Sequence, residues 1–425
     1  MFSKTDICDG VDLVCVKTDS FKTNMIDISM ALPMDENASA NALMINLLKR
    51  SCKAYPDYIE LNARLDELYG AYVGAGVTKT GDAQVLSLSI ACLDDRFSFS
   101  GEHILNDCVE LLASMLFSPN IKGSSFGADN LALEKRLLVQ RILEEQDDKR
   151  YYAFQKCIEV MCAGEPFGLP KAGTPEQVEK AKMAEVYSAW KNALKSAKIR
   201  ITAVGNIDKR FITKTFKTGF GKIEREPCEI KTVFHKKGSK FARVDEKLPV
   251  NQGKLVIGYR AGMEDENDNY YAERVMVDIF GGGTYSKLFA NIREKMSLAY
   301  YCSARLIASK GIVIVQSGID TEKEKSVSAG VINQLNEVRN GKFTDDIIKS
   351  SKLAIKESLT FTSPDDYCAW YSSQILYDTI RTPKETADNI EKVTREEICA
   401  AASRMSLDKI FMLVAEGAQE GNDEG

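Results

Sequence analysis

An arginine and a tyrosine seven residues apart, Arg293 and Tyr300, are the two side chains of this sequence best suited to assist a reaction. Their guanidinium and phenol groups, directed at one point, would both donate hydrogen bonds to a carbonyl oxygen that is acquiring negative charge. Seven residues are close to two helical turns, so a helix continued that far would carry both side chains on one side. The spacing predicts a receptor for an oxyanion.

The segment before this pair must position it. Gly281, Gly282 and Gly283 follow an apolar run and are expected to end a helix, because glycine accepts the left-handed conformation of a C-cap. Thr284 and Ser286 can cap a second helix. On that second helix, four apolar residues recur at helical spacing and are expected to face a core: Leu288, Ile292, Met296 and Ala299.

Other interpretations of the same residues are open. The glycine cluster before Ser286 and Lys287 suggests a phosphate loop, although the GxxxxGK[ST] spacing is absent. Taken alone, Arg293 is typical of a solvated helix residue and Tyr300 of a half-buried core ring. Residue types by themselves do not decide between these uses.

The run from Gly281 to Tyr300 resembles the signature of the second half of the insulinase-like (pitrilysin) zinc metallopeptidases. In that family a glycine-rich turn precedes S-[RK]-L-F-x-x-[IL]-R-E-[KR]-x-x-L-[AG]-Y. The resemblance implies that Arg293 and Tyr300 contact the substrate at the scissile bond, facing a zinc site built by a different domain. Only Arg293 and Tyr300 are carried over from the family; Gly281, Gly282 and Gly283 are separately expected to contact the substrate.

Composition limits the class of protein. A chain of 425 residues with 44% hydrophobic and 28% charged residues is typical of a soluble globular protein with two to four domains. The net charge of −5 argues against a nucleic-acid partner. No apolar run approaches the ~20 residues that span a bilayer, which argues against a membrane protein. Met1 to Gly10 lacks the features of a signal peptide, and eleven cysteines without a CxxC pair favour a reducing cytoplasm.

One strand, acidic turn and helix occur twice. The first copy consists of Met25–Leu32, Met34–Asn37 and Ala38–Arg50. The second copy consists of Lys254–Tyr259, Met263–Asn267 and Tyr270–Phe280. The repeat predicts an α+β fold of two homologous halves, each an antiparallel sheet backed by helices, which is also the duplication that the insulinase-like family shows.

The predicted domains are 1–220 and 246–425, joined by a linker at 221–245. The stretch from Phe216 to Ala242 is rich in glycine and lysine and lacks apolar periodicity. Its basic residues are interpreted as a solvated linker rather than a nucleic-acid patch: Lys231, His235, Lys236, Lys237 and Lys240. Upstream, the charge run Glu144–Arg150 is interpreted as the solvated end of a long helix.

The resemblance fails at the zinc motif. Active members carry H-x-x-E-H on the first helix after the opening strand, where two imidazoles bind zinc and the glutamate is the general base. Here Ala42 and Asn46 stand at the histidine positions and Ile45 at the base position. The third ligand of the family is a glutamate seven residues after another glutamate, and seven residues after Glu134 stands Arg141. We therefore expect no metal and no cofactor in this chain.

Two other sites in the sequence are conceivable. Only His103 and His235 could supply imidazole ligands, and neither has a second histidine or glutamate at ligand spacing that fits. Cys302 could act as a nucleophile beside Tyr300, but no histidine lies near it in sequence to activate the thiol.

Within the family resemblance, the expected function is that of the non-zinc subunit of a heterodimeric peptidase. Zinc is expected in a partner chain of the same family, a peptide is the expected substrate, and Arg293 and Tyr300 would stabilise the peptide oxyanion at the partner's zinc. Alone, the chain is expected to be inactive. The alternative is a catalytically silent scaffold or adaptor, and a third possibility is a homodimeric peptide-binding shell. Leu48–Arg50 and Tyr55–Asp57 resemble a zinc-free bacterial group associated with elongation factor P modification with 5-aminopentanol.

Overall fold

The protein is described by a computed structural model that covers residues 1–415. The polar segment Ala418–Gly425, predicted to fray, lies outside the described residues. Among residues 1–415 there is no helix with the length and apolarity required to cross a membrane.

Strands and helices are numbered in chain order. The strands are β1 (Phe2–Cys8), β2 (Val11–Lys17), β3 (Thr23–Pro33), β4 (Tyr72–Thr80), β5 (Ala83–Leu93), β6 (Lys198–Gly205), β7 (Ala242–Leu248), β8 (Gly253–Arg260), β9 (Ala299–Ile307), β10 (Ile312–Ile319) and β11 (Ser406–Ala415). The helices are α1 (Ala38–Leu48), α2 (Tyr58–Glu67), α3 (Ile104–Phe117), α4 (Ala128–Asp147), α5 (Lys149–Met161), α6 (Pro175–Lys180), α7 (Met183–Ser196), α8 (Lys209–Phe220), α9 (Tyr270–Gly281), α10 (Glu324–Arg339), α11 (Asp345–Ser358), α12 (Pro364–Ser372), α13 (Pro383–Lys392) and α14 (Arg395–Arg404). A π-helix spans Leu288–Lys295.

The two sheets share one topology. The first has the order β1-β2-β6-β3-β5-β4 and the second β7-β11-β8-β10-β9. Each sheet has one parallel pair, β2 with β6 and β7 with β11, and its other pairs are antiparallel. Removing β1 makes the two orders equivalent strand by strand, with β3 matching β8. The predicted α+β fold of two homologous halves is confirmed, with one parallel pair per sheet as the detail that the strand pattern did not predict.

The first core forms where β3 meets its helices. Alternate residues of β3 point inward and are buried, namely Ile26, Ile28, Met30 and Leu32. Every residue of α1 is buried as well, and α1 packs on β4, β5 and α7. Since all faces of α1 are buried, its polar residues Ser39, Asn41 and Asn46 included, it is a core helix and serves here as a packing element.

The two compact units exchange segments of chain. One unit consists of Met1–Leu143, Leu169–Lys231 and Phe361–Ile380, and the other of Glu144–Gly168, Thr232–Thr360 and the C-terminal part from Arg381. The early helix α5 therefore belongs with the second sheet, on which it packs against β8 and β11. The late helix α12 belongs with the first sheet, on which it packs against β3 and β6.

A buried arginine holds the C-terminal end of each exchanged helix. Arg260 donates to the carbonyl oxygen of Met161, the last residue of α5, at 2.7 Å. Arg200 donates to the carbonyl oxygens of Tyr371, in the last turn of α12, at 3.2 Å, and of Gln374 at 2.9 Å. A cation at a helix C-terminus satisfies carbonyl groups that have no partner within the helix. Both arginines are almost fully buried.

The segment between the predicted domains contains more structure than the sequence indicated. The prediction that Phe216 begins an irregular linker was wrong, because Phe216 and Phe220 are buried on α8 at the four-residue spacing that starts at Ile212. β7 begins at Ala242, inside the predicted linker of 221–245. The domain limits 1–220 and 246–425 remain a prediction.

Candidate functional site

The glycine turn after α9 is shaped by close packing. Gly282 has φ −80° and ψ −60°, and none of the three glycines has a positive φ, so the left-handed C-cap expected from the sequence was wrong. A Cβ added to Gly281 would lie 2.5 Å from the backbone nitrogen of Ala304. Glycine is needed here because α9 approaches the backbone of β9 too closely for any side chain.

A phenol and a carboxylate stabilise this turn. The hydroxyl of Tyr285 donates to Asp278 at 2.5 Å, joining the residues after the turn to the last turn of α9. Burial raises the pKa of Asp278, and the hydrogen bond from Tyr285 acts in the opposite direction. Gly282 itself is exposed, so its backbone remains accessible at the surface of the turn.

The segment that carries Arg293 is a π-helix that ends early. Leu288 and Ile292 are buried as predicted, and the amide of Met296 donates to the carbonyl of Asn291 five residues earlier. π-helical turns are rare in proteins overall, and those that occur are often found at functional sites. The prediction that Met296 faces the core was wrong, since it is 51% exposed.

A continuous helix from Arg293 to Tyr300 is also contradicted. The π-helix ends at Lys295, Ser297 has φ +49°, and β9 begins at Ala299. A positive φ at a non-glycine residue interrupts a right-handed helix. Tyr300 therefore lies on a strand, and its position relative to Arg293 is set by this bend.

Arg293 is partly exposed and weakly held. Its guanidinium lies over the ring of Phe289, 4.6 Å from the centroid, and its Nε lies 3.5 Å from Glu294. The side chain is 43% exposed. Contacts of this kind at the surface contribute at most about 1 kcal/mol each, so a ligand can displace them at small cost.

Tyr300 lies on the edge strand β9 and is 63% exposed. Its hydroxyl donates to Asp320 at 3.2 Å. Lys323 lies 2.8 Å from the same carboxylate, and its hydrogen bond is the main cause that lowers the pKa of Asp320. Asp320 is therefore ionised at neutral pH, and it orients the phenol as a hydrogen-bond donor.

The neighbouring residue of β9 reveals a contact that the sequence did not indicate. Arg150 lies over the ring of Tyr301, 4.4 Å from the centroid, and Lys254 lies 5.9 Å from that centroid. Burial raises the pKa of Tyr301, and Arg150 opposes the shift. Arg150 ends the charge run interpreted as a solvated face. Only the three-dimensional position of α5 places this cation at β9.

The positions that correspond to the zinc motif cannot hold a metal. Ala42 and Ile45 are fully buried and offer no ligand atoms, and Asn46 donates its side-chain amide to the carbonyl of Ala42 at 2.9 Å. Zinc requires imidazole, thiolate or carboxylate ligands. These residues do not fit the ion.

A buried ion pair follows the end of α1. Glu134 on α4 is 4% exposed, and its carboxylate lies 3.0 Å from Arg50, just after α1. Arg141, predicted to stand at the position of the third family ligand, lies 4.0 Å from the other oxygen of Glu134. Two guanidinium groups thus neutralise the one carboxylate, and their positive charge would repel a dication.

The alternative sites at His103, His235 and Cys302 also lack, among the described residues, the neighbouring groups that metal binding or thiol activation requires. His103 is exposed, 3.8 Å from Asp95, and His235 lies 3.6 Å from Glu165. Cys302 is buried, and burial raises the pKa of its thiol to about 12, which leaves it protonated and unreactive. Within the part of the chain that the structure describes, no three His, Cys, Asp or Glu side chains are grouped to hold a metal.

Comparison with known sequences gives related proteins of similar length. The family model described as Peptidase M16 inactive domain matches residues 180–355. A Bacillus subtilis protein, "Probable inactive metalloprotease YmfF", is 31% identical over 410 residues, which cover 95% of this chain and 96% of that protein. An "Uncharacterized zinc protease" of Rickettsia bellii is 20% identical over 382 residues, covering 86% of this chain and 90% of that protein.

Solved structures show the same architecture. A conserved protein from Enterococcus faecalis V583 superposes with a TM-score of 0.87 at 26% identity, covering 99% of this chain and all of the other. A peptidase M16 inactive domain from Pseudomonas fluorescens superposes with a TM-score of 0.79 at 16% identity, covering 99% of each chain. The second likeness, at that identity, concerns the fold alone.

Proposed function

This chain belongs to the insulinase-like (M16) peptidase family as an inactive metalloprotease homologue, and on that premise we propose that it is the zinc-free subunit of a two-chain peptidase. The partner is a zinc-carrying chain of the same family, and the substrate is a peptide. This chain contributes Arg293 and Tyr300 to the shared reaction.

One observation carries the proposal: the substrate-contact pair is present and exposed, whereas every zinc-ligand position is changed. Arg293 and Tyr300 are both exposed hydrogen-bond donors. At the metal positions, by contrast, α1 is packed as a core helix and Glu134 is paired with arginines. A chain with a purely structural role would have no need to keep Arg293 and Tyr300 exposed as a pair.

The two side chains suit a carbonyl oxygen that gains negative charge. Arg293 keeps its charge at all physiological pH values and offers several N–H donors. Tyr300 is already oriented as a donor by Asp320, so its hydroxyl needs only to exchange one anionic acceptor for another. Donors fixed before the reaction stabilise the transition state without reorganisation.

The surrounding backbone suits an extended peptide. β9 is an edge strand, and edge strands can pair with an added strand through their main-chain groups. Gly281, Gly282 and Gly283 precede it, and at the exposed Gly282 no side chain blocks a bound backbone. We assign these glycines to substrate contact on this basis.

A scaffold role is the second candidate, favoured by a different observation. Arg293 already contacts Phe289 and Glu294, and Tyr300 already donates to Asp320. These contacts give both residues a local structural role that needs no substrate.

Turnover by the mixed complex distinguishes the two candidates. Arg293→Ala and Tyr300→Phe are each expected to lower kcat of the complex with a zinc-carrying family member by about 10²–10³-fold, the typical loss for one oxyanion donor. Matched controls are Lys295→Ala, on the same π-helix, and Tyr58→Phe, an exposed tyrosine on α2. Control-like turnover in both test variants, with complex formation intact, would leave only the scaffold role.

A further inference from the structure

A groove between β1 and α8 is lined by cations and hydroxyl groups. It has a volume of about 660 Å³. The lining consists of four basic residues and three threonines: Lys209, Arg210, Lys214, Lys217, Thr5, Thr213 and Thr218. Acidic residues are absent from this lining.

The four cations have no anionic partner among residues 1–415. Arg210, Lys214 and Lys217 are exposed, and no carboxylate of the described residues lies within ion-pair distance of them or of Lys209. The amino group of Lys209 instead contacts the hydroxyl of Ser3 on β1 at 3.2 Å. Some exposed lysines elsewhere do pair with carboxylates, as Lys195 does with Glu226 at 2.9 Å.

The placement of three of these charges is unfavourable for α8, whereas Lys217 lies in its last turn, where the helix dipole favours cations, and Asp208 caps its first turn. Lys209 and Arg210 occupy its first turn, where the helix dipole favours anions. Arg210 and Lys214 are four residues apart, and like charges at that spacing repel each other. A bound anion would offset the repulsion between Arg210 and Lys214.

The neighbouring strand identifies the kind of ligand. β1 is the edge strand of the first sheet, so one side of its backbone is not paired with another strand. An extended peptide can add to such an edge through main-chain hydrogen bonds. Its alternate side chains are about 6.7 Å apart, close to the rise of about 6 Å between Arg210 and Lys214 on α8.

A nucleic acid fits the groove less well. Single strands are held by stacking of bases on aromatic side chains in addition to phosphate contacts. The lining of this groove contains no aromatic residue, and a free strand edge offers hydrogen-bonding groups that suit a peptide backbone. The net charge of −5 also gives the chain no general attraction for polyanions.

We propose that the β1–α8 groove binds an acidic peptide segment, which adds to β1 as an extended strand and directs alternate carboxylates at Lys209, Arg210, Lys214 and Lys217. This site lies on the first sheet and does not depend on a zinc-carrying partner or on Arg293 and Tyr300.

Fluorescence anisotropy with the full chain tests the proposal. The probe is a short labelled peptide in which glutamate alternates with valine, at low ionic strength, where charge pairing is least screened. We expect binding that weakens at least about tenfold in Lys214→Glu/Lys217→Glu and with the matching glutamine peptide. The neutral pair Lys214→Gln/Lys217→Gln serves as a second variant, because glutamine is a good helix former. Lys349→Glu, an exposed lysine of α11, should leave binding unchanged.

A second probe isolates the strand pairing. The same peptide with methylated backbone nitrogens at alternate residues keeps its charges and loses the donors that a strand edge needs, so its binding should fall about tenfold or more. Equal binding of the methylated peptide, or of the glutamine peptide, overturns the proposal. So does tighter binding of a uridine oligonucleotide or of tripolyphosphate that displaces the acidic peptide.

Discussion

Arg50 lies 3.0 Å from the buried carboxylate of Glu134 and ties the end of α1 to α4. In active relatives this part of the fold is implied to hold zinc, with the helix equivalent to α1 supplying two ligands. In this chain the same connection between the two helices is made by an ion pair.

Removing Arg50 should therefore destabilise the protein. In Arg50→Met, Glu134 would keep only Arg141 at 4.0 Å, and breaking a buried pair on one side leaves an uncompensated charge. We expect the free energy of unfolding to fall by about 3 kcal/mol, measured by urea denaturation of the purified chain.

The double variant Arg50→Met/Glu134→Met is the control for this effect. Replacing both partners by apolar side chains removes the isolated charge, and such replacements are often neutral. The double variant should therefore be more stable than Arg50→Met. If the double variant is less stable than the single one, the ion pair is not the cause of the loss.

Zinc and chelators should have no effect on the isolated chain. The residues predicted to stand at the zinc-motif positions are Ala42, Ile45 and Asn46, and Arg141, predicted to stand at the third ligand position, is a cation. We expect the same melting temperature with and without EDTA, and less than one equivalent of zinc by elemental analysis. Stoichiometric zinc, together with a lower melting temperature in EDTA, would contradict the donor chemistry of these residues.

Local patterns predicted much of the fold. The repeated strand, acidic turn and helix correctly identified two equivalent sheets, and the absence of ligands at Ala42 and Asn46 is a matter of residue type alone. Close packing was harder to predict. The glycine cluster indicated a helix end, but the close approach of Gly281 to Ala304, where an added Cβ would lie 2.5 Å from the backbone nitrogen, depends on how α9 meets β9.

Long-range features were beyond the sequence. Apolar residues at helical spacing predicted one helix through Ala299, because periodicity carries no information about a bend such as the positive φ of Ser297. Nothing in the charge run ending at Arg150 shows that this residue reaches Tyr301 on the second sheet. That contact exists because α5 packs with the opposite unit from α3 and α4, and contacts distant in sequence leave no local pattern.

The free energy of unfolding should decrease as pH rises toward the folded-state pKa of Asp27, a buried acid of the first unit. Burial raises the pKa of Asp27 from 3.8 to about 7, and the hydrogen bond with Ser29 and the charge of Asp365 have smaller effects. The folded state thus binds a proton that the unfolded state has already released. The contribution of protonated Asp27 to the free energy of unfolding is fully present below about pH 4 and is lost as pH rises to about 7.

Asp27→Asn tests this dependence. The hydroxyl of Ser29 lies 2.6 Å from Asp27 and 2.8 Å from Ser372, and an amide can donate in place of the protonated acid. The variant should be more stable than the wild type at about pH 8, by a few kcal/mol, and its melting temperature should depend less on pH. Burial also raises the pKa of Glu273 to about 7, so part of the slope remains. Asp346→Asn, on the surface of α11, should leave the slope unchanged.

The exchanged helices should loosen separately when their arginines are removed. Arg260 donates to Met161 at the end of α5 and pairs with Asp408 and Glu165 at 2.8 and 2.7 Å. In Arg260→Met these acids keep lysine partners, at 2.8 Å for Asp408 and 2.9 Å for Glu165, but the helix end loses its donor. We expect a loss of about 3 kcal/mol and faster amide exchange in α5.

Arg200→Met is the matched variant, because Arg200 holds the end of α12 and pairs with Asp12 at 2.8 Å. Hydrogen exchange measured by mass spectrometry should show faster exchange of α12 in this variant and of α5 in Arg260→Met. Each helix docks on its own sheet, so each can open locally at a lower free energy than global unfolding requires. Such local openings would make the two variants differ in which helix exchanges faster. The same exchange increase in both helices for both variants would mean that the two helices open only with the whole chain, and that neither arginine acts on its helix in particular.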